Sequence, residues 1–280
     1  MKQKSGKSPD TTIRRKTDIL WCALIGLSFW AIGDQWAYSS EEEAKIFLSL
    51  INVFGFESRV AAFASYYVVA VFALSSITAG LWFMMKWVHP NTPSTHLGAQ
   101  MRDALTNFFL LATYQVAWDV LAIRGYTKQT LGDLQPYPLV RDVVLWQLAF
   151  ELAWYTQHRL MHDVKPLWTY GHSYHHEWKK PEHMIGITNF AFDHIVEPFV
   201  TMSSSLFPIL VFPCNFYVNK IMGFGYMIFA VLVHWDHFEF SRYHLNHHYL
   251  VTKNYGSHWP IFDILFGTYQ KEVYIPKDRY

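Results

Sequence analysis

Cysteine is nearly missing from this chain. Only Cys22 and Cys214 occur in 280 residues. Both lie in or beside apolar stretches, so neither a disulfide framework nor a thiolate metal site is available. Charge is also scarce: Asp, Glu, Lys and Arg make up 16% of the residues, against about 25% in ordinary soluble domains. The formal net charge is +1, which gives no basis for nucleic-acid binding. No glycine-rich loop of the Walker or Rossmann kind is present, which removes the usual phosphate and dinucleotide cradles. Apart from a duplicated histidine pattern, the chain has no internal repeat at the spacing of solenoids and propellers.

Apolar residues are abundant. They make up 51% of the chain, and Phe, Trp and Tyr alone make up 18%, an enrichment suited to membrane interfaces. Residues 1–17 carry Lys2, Lys4, Lys7, Arg14, Arg15 and Lys16 and read as a disordered basic arm. An apolar run from Ile19 to Tyr38 follows. It lacks a small-residue cleavage site and reads as a membrane anchor rather than a removable signal. Ala44 to Phe56 is too short to cross about 30 Å of hydrocarbon and suits the interface. Val60–Val88, Ala104–Ile123 and Leu139–Gln157 are each long enough to span. A weaker pair, Pro198–Tyr217 and Ile221–Val233, is broken near Pro213 and reads as a hairpin. The expected fold is therefore all-α: a polytopic bundle of about four spans plus a hairpin, topped by a histidine-rich cap. With the basic arm in the cytosol, as the positive-inside rule directs, four crossings return the chain to the cytosolic face at His158. The hairpin leaves and re-enters on that same face.

The cap is where the histidines gather. His158 and His162 are spaced i, i+4. His172, His175 and His176 are spaced i, i+3, i+4, and His244, His247 and His248 repeat that spacing. On a helix such positions share one face, so each set can aim two or three imidazoles at one point. His234 and His237, at i, i+3, extend the inventory to ten. One metal ion takes about four to six protein ligands, so ten donors suit two ions. Carboxylates near in sequence are candidates to hold the second ring nitrogens: Asp163, Glu177, Asp236, Glu239 and Asp263. Glu151 lies seven residues before His158 within an apolar stretch, where an ionisable group is itself a functional signal. His89, His96 and His183 stand alone and read as interfacial or hydrogen-bonded residues; His194 and His258 are intermediate.

His158-Arg-Leu-Met-His162, His172-Ser-Tyr-His175-His176 and His244-Leu-Asn-His247-His248, in that order, resemble the histidine boxes of the membrane-bound fatty acid hydroxylase and sterol desaturase superfamily. Asn254-Tyr255-Gly256, followed by Phe262-Asp263-Ile264-Leu265-Phe266-Gly267-Thr268, is similar to the family's Asn-Tyr-Gly and Trp-Asp-x-Leu-Phe-Gly-Thr elements, with Phe262 in place of the Trp. His194-Ile-Val-Glu197 resembles its His-Pro-x-Glu element, with Ile195 in place of the Pro. The resemblance covers about residues 140–270. It implies an N-terminal transmembrane region at 18–138, a catalytic domain at 139–272 and a tail at 273–280. It also implies a non-haem diiron oxygenase of the endoplasmic-reticulum membrane, or of the cytoplasmic membrane in a bacterium, with its boxes facing the cytosol. Such an enzyme uses O2 and two electrons to hydroxylate an unactivated C–H bond of a fatty acyl chain, sterol or related lipid. The alternative within that class is a desaturase or another diiron oxidase acting on a sterol, terpenoid or fatty aldehyde. No flavin, nicotinamide or iron–sulfur signature occurs, so a separate reductase, with or without a small haem protein, is the expected electron donor. A membrane metal-binding or transport protein is the alternative of another class. A transporter is expected to place its ligands near the bilayer midplane on broken helices, whereas these boxes follow the spans.

Overall fold

The computed structural model describes residues 45, 52, 54–88, 101, 103–104, 107, 110–115, 118, 126–127, 135–177, 189, 196–235 and 238–271. The basic arm, the apolar run from Ile19, Asp236, His237, His194 and the tail at 273–280 lie outside them.

Among the described residues, four long helices carry the architecture. The first, α1, is Arg59–Val88. Helical positions between 101 and 118 follow. The second, α2, is Pro136–Asp163. It starts with proline at its first turn, where the missing N–H costs nothing. It ends as Val164 turns extended just before a second, three-residue helical turn, Lys165–Leu167. The third, α3, is Val196–Val211. The chain then breaks at Pro213, pairs Cys214–Asn215 in parallel with Tyr126–Thr127, and enters α4, Phe216–Val233. Asn215 caps α4: its side-chain oxygen accepts from Tyr217 N at 2.9 Å and Val218 N at 3.4 Å, satisfying donors that a helix start leaves open. The expected hairpin broken near Pro213 is thus the α3–α4 pair. Two short helices close the described chain, α5 at Arg242–Leu250 and α6 at Ile261–Leu265.

Ala64–Met84 within α1 and the whole of α4 are long and apolar enough to cross a membrane, by length and composition. The expected span at Leu139–Gln157 lies on α2 but does not share that character. Asp142, Glu151 and His158 sit on its buried face, so α2 serves as the polar spine against which α3 and α4 pack. Ala104–Ile123 is described only in part, and those positions are helical.

The core between α2 and α4 is built on Trp146, Phe150, Cys214 and Val218. Trp146 and Phe150 stack with centroids 4.9 Å apart. Trp146 Nε1 donates to Asn219 Oδ1 at 2.7 Å, a buried tie between the two helices. Between α2 and α3, Gln157 donates to Ser203 Oγ at 3.0 Å and accepts from Ser204 Oγ at 2.6 Å. A second cluster, Ala104, Leu111, Ala112 and Val231, joins the 101–118 segment to α4. Tyr174 donates to Asp103 Oδ2 at 2.7 Å and fastens the histidine cap to that segment. Removing the partner of a buried indole N–H leaves its desolvation uncompensated, a loss of about 1–3 kcal/mol. Asn219→Ala is accordingly expected to lower the melting temperature of the detergent-solubilised protein, and a melting curve identical to that of the parent would refute the assignment.

Candidate metal centre

Four short stretches bring their imidazoles to one place. The end of α2 supplies His158 and His162. A π-helical turn, Trp168–His172, and a 3-10 turn, His175–Glu177, supply His172, His175 and His176. Helix α5 supplies His244, His247 and His248. His234 follows the last turn of α4. These nine residues form two groups, His158, His162, His172, His176 and His247 in one, and His175, His234, His244 and His248 in the other; within each, the ligand atoms all lie within 4.8 Å of one another. His162 is partly exposed and the other eight are buried. Of the ten histidines expected from sequence, His237 alone falls outside the described residues.

The hydrogen bonds on the far side of each ring fix the tautomers. His158 Nδ1 donates to the Tyr255 carbonyl at 2.7 Å, His247 Nδ1 to the Lys253 carbonyl at 2.7 Å and His234 Nδ1 to the Ala230 carbonyl at 2.6 Å. His172 Nδ1 donates to Glu197 Oε1 at 2.6 Å. A neutral imidazole has one N–H, so all four rings present a bare lone pair at Nε2. Two of these lone pairs, on His158 and His172, face each other directly, and the other contacts join the fixed rings to His175, His176 and His244. His158 Nε2 lies 3.0 Å from His172 Nε2, which lies 3.1 Å from His176 Nε2; His247 Nε2 is 3.2 Å from His176 Nε2. In the second group His234 Nε2 is 3.0 Å from His175 Nε2 and 2.9 Å from His244 Nε2, and His248 Nε2 is 3.2 Å from His244 Nε2.

Two bare lone pairs at 3.0 Å repel unless a cation sits between them. Protons are a poor choice of cation here. Burial pushes His158 and His234 down to about 4. It pushes His172, His175, His176, His244 and His248 well below the ordinary value for histidine, and crowding by neighbouring imidazoles adds to that. A metal ion is a cation that neutral imidazoles bind directly, and these residues fit two.

Carboxylates do different work from that expected. Asp163 pairs with Arg159 at 3.3 Å on the outer side of α2. Glu177 is exposed, and Glu239 is exposed and 3.7 Å from Arg242. Each points away because its position falls off the inward helical face. A carboxylate that does meet a cluster imidazole is Glu197, buried at the start of α3. Sequence marked it only as part of His194-Ile-Val-Glu197. Asp263 and Glu151 hold the loop that orients His158. Asp263 accepts from Tyr255 N at 2.8 Å, Gly256 N at 2.7 Å and Thr268 Oγ1 at 2.6 Å, and also from the Tyr243 hydroxyl. Glu151 accepts from the Ser257 hydroxyl, from Ser257 N at 3.3 Å and from Gln147 at 3.0 Å, and lies 3.2 Å from His258 Nδ1. Gly256 has no room for a side chain: a Cβ there would sit 2.7 Å from the Trp259 carbonyl and 2.9 Å from Asp263 Oδ2. The backbone carbonyls of Ala230, Lys253 and Tyr255 carry no sequence signature of their own. The first was nonetheless accessible to reasoning, because an imidazole just past a helix end sits one turn from an open carbonyl.

The depressed histidines set a sign for acid stability. Between about pH 6.5 and about pH 4 the unfolded chain takes up protons that the folded, metal-free cluster refuses, so stability falls as pH falls through that window. The metal-free protein is expected to melt progressively lower across it. A melting temperature that is flat over that interval, or that rises on acidification, would contradict the burial of neutral imidazoles.

Residues 143–268 match the family model described as fatty acid hydroxylase. The chain is 27% identical over 199 residues to the Delta(7)-sterol 5(6)-desaturase of Leptosphaeria maculans, covering 65% of this chain and 53% of that protein. It is 23% identical over 201 residues to the lathosterol oxidase of Rattus norvegicus, covering 65% and 64% respectively. It is 25% identical over 157 residues to the Delta(7)-sterol-C5(6)-desaturase of Nicotiana tabacum, covering 53% and 58%. The chain thus spans between 53% and 64% of the length of these curated relatives. No solved structure matches it. The segment that builds both histidine groups is thus the one that matches the fatty acid hydroxylase family model and that is similar to sterol desaturases and lathosterol oxidases.

Proposed function

We propose that this protein is a membrane-bound non-haem diiron oxidoreductase that uses O2 and two external electrons to oxidise an unactivated C–H bond of a lipid. The observation that carries the reading is the pair of buried imidazole groups whose lone pairs converge. Five donors in one group exceed the four of a closed structural zinc. Imidazoles without thiolates suit iron among the metals that take six ligands.

Bound there, the irons supply the O2-dependent cleavage of an aliphatic C–H bond, which side-chain acid–base chemistry cannot reach. The chain's own residues hold and exclude. His158, His172, His234 and His247 are locked in the ligating tautomer by their Nδ1 bonds. Glu197 makes His172 a stronger donor by drawing on its N–H. Burial keeps bulk water from the centre.

An apolar cavity adjoins it, lined by Phe150 and Trp154 of α2, Thr201 and Met202 of α3, and Tyr226 and Ala230 of α4. Its lining meets the centre on three helices. Trp154 lies one turn before His158, with ring centroids 5.5 Å apart. Ala230 gives its carbonyl to His234, and Thr201 lies one turn after Glu197. A lipid in that cavity would end beside the metal layer. Metal transport, by contrast, calls for ligands midway along broken helices, and the histidines here stand at helix ends.

Hydroxylation places one oxygen atom in the product and the other in water. Desaturation removes a second hydrogen and sends both oxygen atoms to water. Each consumes one O2, two electrons and two protons. The relatives' names, which specify sterol desaturation and lathosterol oxidation, favour a sterol and the second outcome as the competing reading. A cytosol-facing centre in the endoplasmic-reticulum or bacterial cytoplasmic membrane, served by a reductase with or without a small haem protein, completes the proposal. The purified protein is expected to hold about two irons per chain. His175→Ala is expected to abolish turnover while membrane insertion persists. In lipids from an expressing host, a product heavier by one oxygen identifies a hydroxylase and one lighter by two hydrogens a desaturase. Full activity in the His175 variant would sink the assignment.

A further inference from the structure

Helix α4 carries two glycines, Gly223 and Gly225, in its interior. A glycine inside a helix is destabilising by about 1 kcal/mol relative to alanine, so each needs a reason. Close helix packing is not that reason. A Cβ built on either residue meets nothing within 4 Å. The two positions differ in what they face. Gly225 is exposed and shares its side with Ile221 and Ile228, also exposed. Gly223 lines the apolar cavity, on the same stripe as Tyr226, Met227 and Ala230. Those residues fall at i, i+3, i+4 and i+7, one face of a helix.

The stripe runs toward the histidines. Ala230 accepts the hydrogen bond of His234, and Gly223 sits two turns deeper. The segment from Gly223 to His234 covers roughly 16 Å of helix axis at about 1.5 Å per residue. Gly223 therefore stands at the cavity wall farthest along α4 from the metal layer, where the open space would otherwise be taken by a side chain.

We propose that Gly223 is the specificity-determining residue that sets the depth of the lipid chamber, by leaving room for the apolar end of the substrate that points away from the centre. The inference rests on the lipid-oxidation reading above and adds to it the wall that limits substrate length. Each methylene kept out of an apolar site weakens binding by about fourfold, taking about 0.8 kcal/mol per CH2. A side chain at 223 that displaces two of them thus weakens the longer ligand on the order of fifteen-fold.

The test measures dissociation constants on full-length protein for two long and short pairs: lathosterol against a sterol lacking the side chain, and stearic against lauric acid. Wild type is compared with Gly223→Ala, Gly223→Phe and Gly225→Phe. In whichever pair binds, Gly223→Phe is expected to weaken the long member at least tenfold relative to the short one. Gly223→Ala should move the same ratio by a few-fold and raise the melting temperature, which keeps the test sound if the Phe variant folds poorly. Gly225→Phe should leave the ratio unchanged. Equal shifts in the two Phe variants, or a long-to-short ratio unaltered in both Gly223 variants, would overturn the role of Gly223 while leaving lipid oxidation standing. If wild type binds neither pair, the lipid reading falls and this inference falls with it.

Discussion

Imidazole lone pairs held face to face at about 3 Å are the constraint from which the rest of this structure follows. Neutral nitrogens at that distance repel one another, and the dry surroundings that keep them neutral also deny them protons. Left empty, such a cluster weakens the fold. Filled by cations, it becomes a cross-link among α2, the turns after it, the end of α4, and α5. Metal binding and cap assembly are therefore two aspects of one equilibrium, as expected where ligands come from separate segments.

That constraint explains the cost the chain accepts elsewhere. Glu151 and Asp263 are both fully buried, which is expensive unless every oxygen is hydrogen-bonded. Between them they take up the amides of Tyr255, Gly256 and Ser257. The loop so fixed presents the Tyr255 carbonyl to His158. A carbonyl misplaced by a fraction of a hydrogen bond would free the ring to turn its N–H inward. The buried carboxylates thus act on the centre through backbone. The same reasoning accounts for Gly256, whose neighbours leave no space for a Cβ between the Asp263 carboxylate and the Trp259 carbonyl.

Much of the centre was legible in the sequence because helical spacing is a short-range rule. The expectation that each i, i+3, i+4 set aims at one point is met only in part: His172 and His176 fall in one group and His175 in the other, His244 and His248 separate likewise from His247, and the second box is split between a π turn and a 3-10 turn rather than lying on one α-helix. The hairpin was legible through Pro213. What sequence did not reveal depends on tertiary approach. Proximity in the chain suggested Asp163 and Glu239 as partners of the histidines, yet both face outward. Glu197, twenty-five residues from His172, reaches it because α3 packs along α2. The span expected over Leu139–Gln157 shows the same limit. On α2 a polar stripe is buried in protein while Val144, Leu148 and Leu152 stay exposed, and hydropathy averaged over the run blurs the two faces.

On the proposed reading, a single set of histidine ligands could serve either hydroxylation or desaturation. Both outcomes begin with removal of one hydrogen from carbon, and they diverge over what happens next to that carbon. A second hydrogen on the neighbouring carbon is within reach only if the chamber holds the substrate at the required depth and angle. The ligand set, fixed by four Nδ1 bonds, has little freedom to vary. The chamber wall does: it is formed by side chains such as Trp154, Met202 and Tyr226, which bind no metal in this scheme and can change without unmaking the centre. On the proposed reading, regiochemistry and the choice between added oxygen and lost hydrogen would belong to the walls of α2, α3 and α4. Holding the imidazoles and shaping the cavity would then fall on different turns of the same helices, so the wall could change without disturbing the histidines.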